Sequence, residues 1–143
     1  YIFTNIAINL AERYKAKCRI VRLFQVYGEG ESNRRLYKII IKSAKNNKSI
    51  KLNNPHERRD FSNIADIKTK FLEMCNFKKS QNFMKPEIWH LASGDVYSIY
   101  EFTKKIYEKY NSNIKIIKMN FKGKLYHHIS DEISIWNKFK SKL

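Results

Sequence analysis

Two short apolar segments constrain the architecture of this chain more than any other feature. Residues 18–24 read CRIVRLF and residues 88–92 read IWHLA, and glycine turns follow them at Gly28 and Gly94. Short runs that are rich in branched apolar residues and end at a turn are typical of buried parallel strands. Elsewhere, apolar residues recur at helical spacing. Helices that alternate with short strands predict an α/β fold.

The same patterns predict four helices and three further short strands. The helices are expected over residues 1–15, from a cap at Ser32 or Asn33 to about residue 45, over 64–76, and from a cap at Ser98 to about residue 110. The strands are expected at residues 49–52, 59–62 and 114–118. The apolar sides of these helices include Phe3, Ile6, Leu10, Ile39, Ile67, Phe71 and Leu72.

The number of central strands predicts that something is missing beside them. Only residues 20–24 and 88–92 have the character of central parallel strands, and two strands rarely form a stable open sheet alone. The chain also starts at Tyr1, directly in a helical pattern. We therefore expect residues 1–143 to be a single fragment of a larger domain.

The charge of the chain leaves two interpretations open. Its 29 basic and 13 acidic residues give a net charge of +16, a value that nucleic-acid-binding proteins often have. The lysines, however, are scattered along the whole chain and form no block. We interpret the charge as a compositional bias, with most basic residues on solvated faces. The alternative is a polyanion-binding surface. Both interpretations are compatible with a phosphorylated small ligand.

Composition also bears on location and metals. No apolar run approaches the roughly 20 residues of a membrane-spanning helix, and the first residues lack a signal-peptide pattern. Cys18 and Cys75 stand apart, without the spacing of a disulfide framework or a zinc site. We expect a cytoplasmic protein without a membrane span or a metal, and we assign no role to its histidines.

Two motifs carry a resemblance to a known family. RLFQVYGEGE at residues 22–31 and ERRDF at residues 57–61 match, in order and spacing, the carboxyl-terminal half of sugar-nucleotide epimerases, dehydratases and reductases. These enzymes form the extended branch of the short-chain dehydrogenase/reductases, the NAD-dependent epimerase/dehydratase family. The spelling FQVYGEGE resembles the CDP-abequose-synthase-like members most. The resemblance implies the last parallel strands of a doubly wound Rossmann-like fold and a small mixed α/β substrate-binding region.

The resemblance implies a catalytic role for Tyr1. In the family, a Tyr moves the substrate proton, and a Lys four positions later lowers the pKa of its phenol from the ordinary value of about 10. YIFTN at residues 1–5 matches this stretch except that Asn5 stands at the Lys position. Asn5 can hydrogen-bond a cofactor ribose but supplies no charge. The alternative is that Tyr1 simply begins an amphipathic helix.

Four further residues take roles from the resemblance. Phe24 corresponds to the residue that flanks the nicotinamide of the cofactor, and Gln25 to a substrate contact. Arg35 corresponds to a contact with the nucleotide end of the substrate, or is a solvated arginine at a helix start. Arg59 corresponds to the arginine that binds the substrate diphosphate, for which a planar fork of donors is well suited. The alternative for Arg59 is a surface ion pair with Asp60 of little energetic value.

The cofactor and partners follow from the same resemblance. The complete family fold binds NAD or NADP, but the glycine-rich fingerprint that binds the dinucleotide is absent from this sequence, whose four glycines are Gly28, Gly30, Gly94 and Gly123. We therefore expect no cofactor bound by this fragment, a nucleoside-diphosphate sugar as ligand, and a homodimer in the complete protein. The alternatives are a stand-alone sugar-nucleotide-binding module and a basic nucleic-acid-binding protein.

Overall fold

The computed structural model describes residues 2–76 and 86–119. It is a mixed α/β structure with parallel strands, which confirms the predicted fold class. The elements in chain order are α1 (Ile2–Arg13), β1 (Arg19–Leu23), β2 (Gln25–Tyr27), α2 (Leu36–Lys45), β3 (Ile50–Leu52), β4 (Arg58–Asn63), α3 (Ile64–Cys75), β5 (Glu87–Leu91), β6 (Val96–Ser98), α4 (Ile99–Lys109) and β7 (Ile116–Lys118).

The two segments predicted as central parallel strands do pair. β1 runs parallel to β5, with Val21 opposite Trp89 in the register. Trp89 belongs to a small buried cluster with Ile67 and Met74 of α3. The helix therefore packs on the strand pair, as the alternation of helices and strands predicts.

The prediction of one strand over residues 18–24 is wrong at its carboxyl end. β1 stops at Leu23, and β2 then pairs with β4 in a different, three-stranded sheet of order β2-β4-β6. The amide of Val26 donates to the carbonyl of Phe24 over 2.9 Å, a three-residue turn that redirects the chain between the sheets. The turn contains no glycine or proline, so the turn signals of the sequence could not show it.

Helix starts were predicted with mixed success. The cap of α4 is confirmed: the Ser98 side chain accepts from the Glu101 amide, and the Glu101 side chain accepts from the Ser98 amide. The cap of α2 at Ser32 or Asn33 is wrong, because Arg35 is the N-cap and makes no side-chain cap bond. Ser32 instead accepts the amide of Arg34 through its hydroxyl, in a turn before the helix.

A second and larger core lies between the three-stranded sheet and two helices. The rings of Phe61 on β4 and Phe102 on α4 stack with centroids 3.9 Å apart. Ile40 of α2 and Ile106 of α4 are buried in the same cluster. Apolar burial of this kind stabilises by about 25 cal/mol per Å² of surface removed from water.

Several apolar side chains that were expected in a core are exposed. Phe3 on α1 is 87% exposed and Leu72 on α3 is 53% exposed, while Ala11 is the buried residue of α1. Ile39 and Phe71 are also exposed. Helical spacing identifies the apolar side of a helix but not what covers it. Within the described residues, the apolar sides of α2 and α3 are covered only in part, since Ile40 and Ile67 are buried.

Candidate functional site

The carboxyl ends of β1 and β5 define one edge of the parallel strand pair. Phe24 and Gln25 follow β1, and Ser93 and Gly94 follow β5 closely. Open α/β sheets bind ligands beyond the carboxyl ends of parallel strands. The edge that carries these residues is therefore the expected place for a site.

Arg59 and Gln25, both predicted as substrate ligands, meet at this edge. Arg59 Nη1 donates to Gln25 Oε1 over 3.1 Å, across 34 positions of sequence. Its Nε and Nη2 donate to one oxygen of Glu57, Oε1, over 3.0 and 2.7 Å. The Arg59 side chain is 26% exposed, so its guanidinium is held by neighbours and still reaches solvent.

Asp60 accepts hydrogen bonds from the turn after β5. Its buried carboxylate accepts from the Ser93 amide and hydroxyl over 2.9 and 2.8 Å, and from the Gly94 amide over 2.9 Å. The Ser62 hydroxyl adds a bond of 2.8 Å. Burial raises the pKa of Asp60, but the hydrogen bonds from Ser93, Ser62 and Gly94 outweigh it and lower the pKa below its ordinary value. Asp60 is thus charged at neutral pH and orders the turn.

Arg35 lies apart from the pair of Arg59 and Gln25. Its Nε pairs with Glu31 Oε1 at 3.2 Å, and its side chain is 57% exposed. Across residues 2–76 and 86–119, no contact joins Arg35 to Gln25 or Arg59. The alternative that Arg35 is a solvated arginine at a helix start therefore stays open.

Of the three residues predicted for catalysis and cofactor binding, the structure describes Asn5 and Phe24. Phe24 sits at the end of β1 with its ring edge-on to His90, the centroids 5.2 Å apart. Asn5 is exposed on α1. Tyr1 lies outside the described residues. Phe24 therefore lies at the carboxyl end of β1, where the resemblance predicts the cofactor contact.

Two cavities adjoin the site. One of about 460 Å³ is lined in part by Asp66 and Ser93. Another of about 240 Å³ shares these two residues and adds Tyr27 and Tyr97. Burial raises the pKa of Tyr27, so its phenol stays protonated at neutral pH and can donate a hydrogen bond. Tyr97 was missed because β6 is only three residues long, whereas Tyr27 lies within a motif already identified.

The donor set of this chain fits only part of a dinucleotide site. Phe24 offers an apolar surface for a nicotinamide, but the fingerprint turn for the pyrophosphate is not in the sequence. Gly28 serves packing, because an added Cβ would lie 2.4 Å from Ile64 Cγ2. The described residues contain no group of three or more His, Cys, Asp or Glu side chains that could hold a metal ion. Among the same residues, no helix is long and apolar enough to cross a membrane.

The sequence matches one family model. The model describes the NAD dependent epimerase/dehydratase family and covers residues 1–92. No curated protein sequence matches the chain. The match supports the family that the motifs predicted, and it gives no support to the CDP-abequose-synthase-like subfamily.

Solved structures share the fold. An epimerase from Methanothermobacter thermautotrophicus is 21% identical with a TM-score of 0.69, over 93% of this chain and 40% of its own. UDP-glucose 4-epimerase from Thermotoga maritima, solved with UDP-glucose, is 15% identical with a TM-score of 0.70, over 91% and 41%. dTDP-glucose 4,6-dehydratase from Bacillus anthracis, in complex with NAD, is 15% identical with a TM-score of 0.71, over 96% and 43%.

The extent of the matches defines what the chain shares with these proteins. It spans less than half the length of each of the three solved structures. Because the sequence identities are low, the structural similarity to these proteins shows only the Rossmann-like fold. The family model covers residues 1–92 of 143, well over half of the sequence. The chain therefore belongs to the NAD-dependent epimerase/dehydratase family.

Proposed function

We propose that this chain forms the nucleoside-diphosphate-sugar-binding part of an NAD(P)-dependent epimerase, dehydratase or reductase. The observation that carries the proposal is the hydrogen bond from Arg59 Nη1 to Gln25 Oε1 at the carboxyl end of β1. It joins the two residues that the family resemblance assigns independently to the substrate. A diphosphate has two negative charges, and a guanidinium offers planar paired donors that an ammonium lacks.

Gln25 and Arg59 have complementary tasks in this proposal. Arg59 is partly exposed and charged, so it binds the diphosphate. Gln25 lies between the guanidinium and the end of β1, and its amide contacts the sugar. Arg35 contacts the nucleotide end of the substrate from the start of α2, after it leaves its pair with Glu31. The Arg35 side chain is 57% exposed, so it can reach a ligand from solvent.

Tyr1, Asn5 and Phe24 are proposed for the reacting end. A bound NAD(P) supplies hydride transfer, and Phe24 flanks its nicotinamide. Tyr1 moves the substrate proton, and Asn5 contacts the cofactor ribose. Because Asn5 carries no charge, the phenol of Tyr1 lacks the cation that would lower its pKa. Proton transfer is therefore expected to be slower than with a lysine at residue 5.

The cofactor-binding part is proposed to lie in a second, glycine-rich half outside residues 1–143. The strand pair β1 and β5 and the exposed apolar side chains of Leu23, Ile64 and Leu72 support this, because such surfaces are normally covered by further strands and helices. In this proposal residues 1–143 do not bind NAD(P) tightly by themselves.

Calorimetry on the 143-residue chain tests the proposal. UDP-glucose and dTDP-glucose are titrated into the chain, into Arg59→Ala and into Arg58→Ala. Arg58 is the matched control, an adjacent arginine that pairs with Glu101 at 3.7 Å on the surface. Binding of one sugar nucleotide that Arg59→Ala weakens by about tenfold or more, and Arg58→Ala leaves intact, is the expected result.

Two outcomes contradict the proposal. One is the absence of Arg59-dependent binding for both sugar nucleotides. The other is tight binding of NAD(H) or NADP(H) by the chain alone, which overturns the assignment of the cofactor site to another half. If the chain binds a sugar nucleotide and needs no second half for its function, it is a stand-alone binding module instead.

A further inference from the structure

Glu57 is a buried carboxylate directly beside Arg59, the residue proposed to bind the diphosphate. It is 5% exposed. Its backbone is held on both sides: the amide donates to the Asn54 carbonyl over 3.2 Å, and the carbonyl accepts from the Ile99 amide over 2.9 Å. Its Oε2 accepts from Asn54 Nδ2 over 3.3 Å. A carboxylate anchored in this way presents Oε1 at a defined position.

Glu57 accepts hydrogen bonds from one side of the Arg59 guanidinium. Nε and Nη2 of Arg59 both donate to Glu57 Oε1, and Nη1 donates to Gln25 Oε1. A guanidinium has five N–H donors, so these three bonds leave one N–H on each terminal nitrogen within the described residues. A phosphate group can accept from such a pair.

We propose that Glu57 is a positioning residue, which holds Arg59 so that its two remaining donors face the substrate diphosphate. The inference rests on the proposed function, since it requires Arg59 to bind a diphosphate. It adds a residue to the site that does not touch the substrate. Preorganisation is its physical content, because a long side chain that is already ordered loses less conformational entropy on binding.

Glu57 also has an opposing effect, which makes the inference testable. Its negative charge repels a diphosphate, so removing the charge alone strengthens binding. Losing the position of Arg59 weakens it. Both bonds from Arg59 end on one oxygen, Oε1, and a glutamine keeps one such oxygen. Glu57→Gln thus removes the charge and retains the acceptor, whereas Glu57→Ala removes both.

The first measurement needs no ligand. The Nε–H signal of Arg59 in a ¹H–¹⁵N spectrum is assigned through its loss in Arg59→Ala. We expect a resolved signal with slow solvent exchange in the wild type and in Glu57→Gln, because the Nε–H donates to Oε1. In Glu57→Ala the signal is expected to exchange rapidly and to lose its distinct shift. An unchanged signal in Glu57→Ala overturns the inference.

The second measurement is the affinity for the sugar nucleotide that binds in an Arg59-dependent way. We expect Glu57→Ala to bind about fivefold to tenfold more weakly than wild type, a loss of the size of one ordinary hydrogen bond. Glu57→Gln is expected to bind as tightly as wild type or more tightly. Equal tightening in both variants shows that Glu57 acts through its charge alone and overturns the inference.

Two further provisions separate the possible failures. If the chain binds no sugar nucleotide, the proposed function fails, and the ligand-free spectra still decide whether Glu57 positions Arg59. If Glu57→Ala does not fold, Glu57→Asp replaces it, since aspartate keeps the charge but draws the acceptor back by one methylene. Positioning predicts weaker binding for Glu57→Asp than for Glu57→Gln. Wild-type affinity in Glu57→Asp overturns the inference.

Discussion

Arg59 and Asp60 are neighbours in sequence, yet their side chains form hydrogen bonds at the carboxyl ends of two different parallel strands. Arg59 Nη1 donates to Gln25 just beyond β1, and Asp60 accepts from Gly94 just beyond β5. Successive residues of a strand point to opposite faces, so β4 reaches both ends at once. The short segment ERRDF thereby ties the edge of the site together.

Replacing Gln25 tests the contact across the strands. Gln25→Ala removes the acceptor 3.1 Å from Arg59 Nη1, so we expect sugar-nucleotide affinity to fall by about threefold to tenfold. Calorimetry gives the affinity, and thermal unfolding checks that the fold is retained. An affinity equal to that of the wild type contradicts the role of Gln25.

Asp60 should make stability depend on acid. Its folded pKa lies below the ordinary value, so its contribution is complete above the unfolded pKa and disappears as pH falls through the folded pKa. Asp60→Asn also places donors or a weaker acceptor among the amides of Ser93 and Gly94. We expect a loss of about 2 kcal/mol in the free energy of unfolding at pH 7, which shrinks towards pH 2.

Urea unfolding between pH 2 and pH 7 measures this difference. Glu108→Gln is the control, because its exposed pair with Lys104 at 3.7 Å contributes about 0.5 kcal/mol or less. If the gap between wild type and Asp60→Asn stays constant over this pH range, the charged form of Asp60 is not what orders the turn.

The two glycines after β2 should differ in their tolerance of a side chain. At Gly28, with φ of 151°, a Cβ would lie 2.4 Å from Ile64 Cγ2, whereas at Gly30, with φ of 80°, it meets nothing within 4 Å. We expect Gly28→Ala to lower the free energy of unfolding by about 1–3 kcal/mol more than Gly30→Ala does. Urea unfolding compares the two, and a larger effect at Gly30 refutes the packing role of Gly28.

The exposed apolar side of α3 should make the isolated chain associate. Leu23, Phe71 and Leu72 line a cavity of about 350 Å³ whose walls are mainly apolar. We expect concentration-dependent self-association in analytical ultracentrifugation, reduced in Leu72→Lys and unchanged in Thr69→Lys on the same helix. A strictly monomeric chain at high concentration shows that this side is not adhesive.

The charge of +16 should not produce specific nucleic-acid binding. Scattered lysines bind polyanions weakly, and such binding falls steeply with salt. We expect elution from heparin below about 0.15 M salt, the physiological range. Retention well above that concentration favours the polyanion-binding alternative.

The sequence by itself determined the α/β class, the strand character of β1 and β5, and the cap of α4 at Ser98. These follow from local rules, since strand character, helical periodicity and capping depend on residues close together in the chain. The motif that contains Gln25 and the motif that contains Arg59 could likewise be found from order and spacing alone.

Only the tertiary structure decided how the site is connected. It showed the chain crossing between sheets at Phe24, the bond between Gln25 and Arg59, and the placement of Glu57 beside the guanidinium. It also showed that some apolar side chains of α1 and α3, such as Phe3 and Leu72, are exposed. The physical reason is that periodicity identifies which side of an element is apolar. Contacts between residues more than 30 positions apart depend on the path of the whole chain.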